Sequence, residues 1–302
     1  MVELGEDMSQ RVPSVLEILK LSSEFLAKRD VDSPRLQAEL MLAQILQMPR
    51  LKLYLNFETF LTSIQVDQMR DWVRRRGQHE PLQHLLGTTS FCGLEIKTTR
   101  SALIPRPETE LLAERAWNWL RNRPAPRFLD FGTGTGCVAL ALLKNAPESR
   151  GVALDISSSA LSLAHENAAL HQLMDRIEFR AGSGFDAMES DQKFDLIISN
   201  PPYIPTAEIA TLASEVKDHD PKNALDGGVD GLDFYRILAA KAGDYLLQDG
   251  RLMVEFGDGQ APLLRGIFID HNWVVESVES DYSHRERMLV ATHGGCRSTP
   301  CT

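Results

Sequence analysis

An amide, two consecutive prolines and an aromatic ring, Asn200-Pro201-Pro202-Tyr203, come directly after the apolar run Phe194-Asp195-Leu196-Ile197-Ile198-Ser199. Proline has no N–H to offer a sheet ladder and restricts the residue before it, so a buried strand over 194–199 must stop here. What remains is a rigid set of acceptors, the Asn200 side-chain oxygen and the Pro201 carbonyl. Two acceptors at fixed spacing can take both hydrogens of a planar NH2 group. Pro202 would lock the turn, and Tyr203 either packs on such a planar group or belongs to the core.

A second constellation is Asp130-Phe131-Gly132-Thr133-Gly134-Thr135-Gly136, placed where a strand hands over to a helix. Glycines permit positive φ and close approach to the backbone, and the helix N–H groups face an incoming carboxylate or phosphate. The spacing is G-x-G-x-G with an acid ahead of it, not the G-x-G-x-x-G of dinucleotide sites, and Asp155 ends the next strand about twenty residues on. From the residues alone, Asp130 and Asp155 read as turn formers at strand ends or as carboxylates facing a ligand, a nicotinamide dinucleotide included. Gly182-Ser183-Gly184-Phe185 follows the third strand of this series.

The elements that must position these residues fall into three stretches. Residues 1–80 read as a helical domain for substrate recognition. A capping box at Ser14 and Glu17 opens a stripe of Val15, Ile18, Leu19 and Phe25. Ser33-Pro34 starts a second helix with Leu36, Leu40, Ala43 and Leu46, and a third runs from Ile64 to Arg76 with Met69, Trp72 and Val73 on one side. Its cluster Arg70, Arg74, Arg75 and Arg76 reads as a solvated helix end complementing the dipole, with a contact for an acidic partner or RNA as the alternative. Residues 81–110 look like a β-hairpin connector, with strand-like pieces at Thr89–Ile96 and Ala102–Ile104. Arg106, bracketed by Pro105 and Pro107, binds a substrate backbone or holds the hinge.

Over 111–293 strand-like and helical runs alternate: Phe128–Phe131, a helix from Cys137, Val152–Asp155, a helix through Leu161 and Leu170, Ile177–Ala181 and Phe194–Ser199. After a loop come a helix from Leu232 to Leu247, the strand Arg251–Phe256, a helix through Leu263 and Ile267, and strands at Trp273–Val278 and Met288–Ala291. Alternation of this kind predicts an α/β fold, a mostly parallel sheet with helices on both faces. Residues 294–302 read as a disordered tail.

The whole chain supports this division. At 302 residues and 43% hydrophobic content it can bury a substantial core. A net charge of −10 argues against a main affinity for a nucleic-acid backbone. Neither a leader pattern at the start nor an apolar stretch of spanning length is present, so the expectation is a cytoplasmic protein without a membrane contact. The four cysteines, Cys92, Cys137, Cys296 and Cys301, form no CxxC pair, so no disulfide framework or metal site is expected. His84, His165, His171 and His219 are read as surface or packed side chains.

Taken with these motifs, the chain resembles the protein-(glutamine-N5) methyltransferase family, in its release factor branch, over about residues 36–290. The resemblance is carried by Pro81-Leu82-Gln83-His84-Leu85-Leu86-Gly87, Leu103-Ile104-Pro105-Arg106-Pro107-Glu108-Thr109-Glu110 and Asp130–Gly136. It continues through Asn200–Tyr203, Ala224-Leu225-Asp226-Gly227-Gly228-Val229-Asp230-Gly231-Leu232 and Val254-Glu255-Phe256-Gly257. It implies a class I, Rossmann-like methyltransferase domain using S-adenosyl-L-methionine, held by Asp130, Gly132, Thr133, Gly134, Thr135, Gly136, Asp155, Gly184 and Asn200. Asp155 would take the ribose hydroxyls. Members of the family often carry a bulky aromatic near Gly184, where here only Phe185 follows, so either Phe185 fills that space or the adenine pocket is looser.

Catalysis would fall to Asn200, Pro201, Pro202 and Tyr203, without a general base. The implied substrate is a glutamine of class I peptide chain release factors, with no direct nucleic-acid substrate. The alternatives are a ribosomal-protein glutamine, a nucleic-acid amino group such as adenine N6, or a binding module without turnover.

Overall fold

The computed structural model describes residues 12–294. Apart from Gly294, the expected disordered tail over 294–302, with Cys296 and Cys301, lies outside the described residues. The chain divides into two compact units between Gly87 and Thr88. The boundary is therefore past residue 80, because Leu82–Leu86 forms a short helix of the first unit instead of opening a β-connector.

The first unit consists of α1 (Val15–Ala27), α2 (Pro34–Ile45), a 3₁₀ turn (Arg50–Leu55), α3 (Ser63–Arg76) and α4 (Leu82–Leu86). Capping boxes start α1 at Ser14 with Glu17 and α3 at Thr62 with Gln65, satisfying N–H groups that have no partner inside the helix. The buried face of α2 differs from the predicted stripe. Ala38, Met41, Leu42 and Ala43 are buried while Leu36 is 41% exposed. The reason is Glu39, only 2% exposed, whose carboxylate accepts hydrogen bonds from Arg35 (2.7 Å), Arg50 (2.9 Å) and Tyr54 (2.9 Å). A charge with three donors can be taken inside, so the helix is rotated from where a purely apolar stripe would put it. The arginine cluster of α3 is paired within the unit: Arg70 with Asp67, Arg74 and Arg75 with Asp71, and Arg75 with Glu80. Arg76 is buried and donates to Gln37 and to the Glu80 carbonyl.

The second unit opens with a hairpin, β1 (Thr88–Phe91) and β2 (Leu94–Lys97), whose two-residue turn puts Cys92 and Gly93 at positive φ. The expected strand at Ala102–Ile104 is instead irregular chain, buried at Ala102 and Ile104 and cut off from any ladder by Pro105. Next come α5 (Pro107–Leu120), β3 (Arg127–Phe131), α6 (Cys137–Asn145), β4 (Arg150–Asp155), α7 (Ser158–Leu170), β5 (Ile177–Ala181) and β6 (Phe194–Ser199). The chain continues with α8 (Ser214–Lys217), α9 (Asp233–Lys241), β7 (Leu246–Glu255), α10 (Ala261–Asp270), β8 (Trp273–Ser280) and β9 (Glu286–His293). The helix expected to reach Leu247 ends at Lys241. Leu246 pairs with Phe194, so the sheet takes the backbone of an apolar run whose periodicity fits either element.

Seven strands form one sheet in the order β5-β4-β3-β6-β7-β9-β8, parallel except where β9 pairs with β7 and β8. Strand alternation divides the core into two layers. Phe128, Leu196, Ile198 and Met253 pack with Leu112, Ala116 and Leu120 of α5 and with α6. On the opposite face Leu129, Ile197, Leu252 and Val254 pack with Tyr235 and Leu238 of α9 and Leu264 and Phe268 of α10. This is the mostly parallel, doubly covered sheet that the sequence predicts.

Because Leu129 is fully buried at the centre of this sheet, Leu129→Ala should lower stability by about 2–5 kcal/mol in chemical denaturation. Leu51→Ala, at a side chain 73% exposed, should change it by less than about 0.5 kcal/mol.

Candidate active site

Strands β3 and β6 are neighbours, with Asp130 opposite Ile198, and the chain leaves their carboxyl ends toward opposite sides of the sheet order. Such a switch point leaves a crevice beyond the strand ends. Here it is a cavity of about 890 Å³ lined by the glycine turn, Asp155, Gly182–Asp186, Thr109, Asn200 and the segment Asp226–Gly228.

The turn after β3 is built by its glycines and two acids. Gly132, Gly134 and Gly136 have φ of 78°, 56° and 81°, where a side chain is strained. Gly132 lines the cavity and a Cβ there would meet no protein atom within 4 Å. At Gly136 a Cβ would come within 3.1 Å of the Ala164 Cβ, so this glycine serves the packing of α7, and it is absent from the cavity wall. Asp130, 2% exposed, accepts from the Thr133 hydroxyl at 2.6 Å and the Ala139 N–H at 3.2 Å, tying the turn to the start of α6. Burial pushes its carboxyl up to about 7, against the pull of these hydrogen bonds. Asp155 accepts from Gly134 N at 2.9 Å and Ser157 N at 2.9 Å, one on each oxygen. A carboxylate has about four acceptor sites, so each oxygen keeps capacity for a ligand.

Asn200 is brought to the same cavity as the turn. Its amino group donates to the Thr109 hydroxyl at 3.0 Å, which in turn donates to Glu255 at 2.7 Å. Thr109 and Glu255 are each 3% exposed. Both lie in segments that carry the family resemblance, yet neither residue is given a role there, since a lone Thr and a Glu at a strand end show nothing in sequence of their meeting. Asn167 is equally silent in sequence: fully buried, it donates to the carbonyls of Thr135 and Lys97 and accepts from Lys97 N, bracing the turn against β2.

The remaining motif residues separate. Pro202 lines the cavity, whereas Pro201 and Tyr203 do not. Tyr203 packs against the core layer of α9 and α10, and burial pushes its hydroxyl up to about 12. No described hydrogen bond ends on the Pro201 carbonyl. Gly184 lines the cavity at φ 68°, and Phe185 is stacked on Tyr245 and tilted on Phe131, only 2% exposed. An aromatic at 184 would be strained, and Phe185 is committed mainly to the core. Arg106 lines the cavity and pairs at 2.7 Å with Asp220, whose side chain is fully buried, pinning the long segment after Tyr203. None of His84, His165, His171 and His219 lines the cavity.

A seven-stranded, mostly parallel sheet whose switch-point cavity joins a glycine turn, Asp155 and an Asn-Pro-Pro-Tyr strand end is the architecture of a class I methyltransferase domain. The fold is shared with a methyltransferase from Pyrococcus furiosus of known crystal structure, at TM-score 0.50 and 18% identity over 66% of this chain and 88% of that one. The profile of the PrmC N-terminal domain matches residues 17–87, and that of the methyltransferase small domain matches 108–221. A release factor glutamine methyltransferase of Geobacter sulfurreducens is 44% identical over 256 residues, covering 84% of this chain and 88% of that one. Its counterpart from Chlorobaculum tepidum is 37% identical over 93% of this chain and 97% of its own. The chain belongs to the release factor glutamine methyltransferase family.

The raised Asp130 has a consequence for stability. The folded chain holds this proton up to about 7 against 3.8 for the free group, so stability falls as pH rises between those values. Urea midpoints measured across that window should decline less steeply in Asp130→Asn than in the natural chain, the remaining slope coming from Glu255, which burial raises to about 7, and from Asp220, which burial also raises.

Proposed function

We propose that the protein transfers a methyl group from S-adenosyl-L-methionine to the side-chain amide nitrogen of a glutamine in class I peptide chain release factors. The observation that carries this reading is that Asn200 shares one cavity with the glycine turn and Asp155. The names of the relatives supply the substrate class.

The residues present fit the cofactor. Asp155, fixed by two backbone donors, has free acceptor sites suited to a pair of vicinal hydroxyls. Gly132 leaves the backbone open to close approach, and the Asp155 carboxylate favours a cationic ligand. When bound, S-adenosyl-L-methionine supplies a methyl group on a positively charged sulfur, an electrophile that needs no further activation.

An amide nitrogen is a weak nucleophile because its lone pair is delocalised into the carbonyl, so position must compensate. With its amino group committed to Thr109, Asn200 turns its side-chain oxygen to the cavity, where it accepts one substrate N–H. The Pro201 carbonyl, on which no described hydrogen bond ends, stands next to Asn200 but outside the cavity wall, and accepts the other once the substrate amide is seated against the strand end. Holding both hydrogens fixes the nitrogen and its plane, a proximity effect worth about several kcal/mol. As positive charge develops on that nitrogen, the same oxygens stabilise it more than they stabilised the neutral amide, which raises the rate. The proton becomes strongly acidic only once the nitrogen is alkylated, so no base is needed beforehand. The helical first unit is the part that grips the protein substrate; Leu51, Leu55 and Ile64, each more than 70% exposed, give it apolar surface for a partner.

The test is transfer of a radiolabelled methyl group to purified release factors and to ribosomal proteins, with the modified residue located by peptide fragmentation. Label on a release-factor glutamine is expected, and label confined to other proteins would overturn the reading. Asn200→Ala should lower turnover by about a hundredfold or more with cofactor affinity little changed. Asp155→Ala should instead weaken cofactor binding in calorimetry by about tenfold or more.

A further inference from the structure

Behind the cavity wall lies a buried acid for which the methyl transfer derived above has no use. Glu255, at the end of β7, is 3% exposed, and its Oε2 accepts the Thr109 hydroxyl at 2.7 Å. The Tyr235 hydroxyl donates to its backbone carbonyl at 2.7 Å. Thr109 stands between Glu255 and Asn200, whose Nδ2 lies 3.0 Å from Oγ1. A hydroxyl has one hydrogen to give. If that hydrogen goes to an ionised carboxylate, which only accepts, the hydroxyl oxygen can meet Asn200 only as an acceptor. The group facing it must then be the amino end of the carboxamide.

We propose that Glu255 is a positioning residue: acting through the Thr109 hydroxyl, its carboxylate fixes the Asn200 carboxamide with the oxygen, and not the amino group, toward the cavity. The inference rests on the methyl-transfer reading for its consequence but not for its geometry. A protonated Glu255 can donate to Thr109, which then donates its own hydrogen onward. The relay reverses, and the carboxamide is favoured with its oxygen toward Thr109 and its amino group toward the substrate NH2. Two amino groups facing each other cannot hydrogen-bond, so the site loses one of its two acceptors and is left with the Pro201 carbonyl alone.

The groups that face Glu255 set where this reversal falls. Burial pushes its carboxyl up to about 7, the Thr109 hydrogen bond opposes that, Glu108 on α5 pushes further up, and Arg287 on β9 and the Asn200 amide pull down. Tyr203 and Tyr235, the other ionisable neighbours, are raised above their ordinary range and stay neutral. Turnover is therefore supported by the ionised form and falls as pH drops through about 7.

The experiment follows the Asn200 side-chain amide by NMR in the full chain, assigned through its loss in Asn200→Ala, alongside turnover. In the natural protein this amide should titrate with a midpoint near 7. The titration should vanish in Glu255→Gln and in Thr109→Val and return in Thr109→Ser. Glu255→Gln and Thr109→Val should lower kcat about ten- to a hundredfold, with little change in KM for the cofactor and with loss of the acid limb near neutrality. Thr109→Ser should recover most of that loss. Thr109→Val decides the matter if Glu255→Gln does not fold. An Asn200 amide that ignores pH, or that still titrates in Thr109→Val, overturns the proposal. Absence of methyl transfer by the natural protein would reject the functional reading alone, because the NMR titration needs no substrate.

Discussion

Much of this molecule follows from the way β3 and β6 lie side by side at the centre of a parallel sheet while their connections depart in opposite directions. Parallel strands all end at one edge, and at most positions a helix closes over that edge. Between β3 and β6 it does not, because one connection covers β4 and the other covers β7. The cavity is the space so left. The glycine turn and the Asn-Pro-Pro-Tyr corner are adjacent there although about seventy residues separate them in sequence, and neither could form a site alone.

Around that space the protein buries two acids, Asp130 in the cavity wall and Glu255 behind it. Asp130 and Glu255 are both nearly fully buried, both raised to about 7, and both held by a threonine hydroxyl, Thr133 in one case and Thr109 in the other. Burying a carboxyl is unfavourable unless its oxygens are met, and the site spends folding stability on both. What it gains is rigidity. Asp130 fixes the glycine turn, and the chain through Thr109 holds the Asn200 amide, both at the one cavity. Asp155, less buried, is ordered by backbone N–H groups, which have no freedom to turn away.

Legibility in the sequence tracked the range of the interactions. The strands Ile177–Ala181 and Phe194–Ser199 are bounded as predicted, since short apolar runs between turn residues report directly on burial. The capping box at Ser14 was equally readable because its partners are three residues apart. At Leu246, where a helix and a neighbouring strand compete for the backbone, local pattern gives no preference and pairing with Phe194 decides. The buried face of α2 departs from its apolar stripe because Glu39 looks like a surface residue until Arg50 and Tyr54 arrive from a later turn. In the site, Asn200, Asp155 and the glycine turn stood out by type and spacing. Thr109, Asn167 and Glu255 did not, and Tyr203 and Gly136 turned out to face packing partners instead of the cavity.

By itself, then, the sequence determined which residues could meet a planar amino group and an adenosyl-type ligand, and that a mostly parallel sheet would carry them. Those properties are local: proline's missing N–H, glycine's freedom at positive φ, and alternation along a strand act within a few residues. Only the tertiary structure decided which end of the Asn200 amide is tied to Thr109 and which acids are buried deeply enough to hold their protons near neutrality. Those are properties of solvent exclusion and of hydrogen bonds spanning 91 and 146 residues, and chemistry of that reach exists only once the chain has closed on itself.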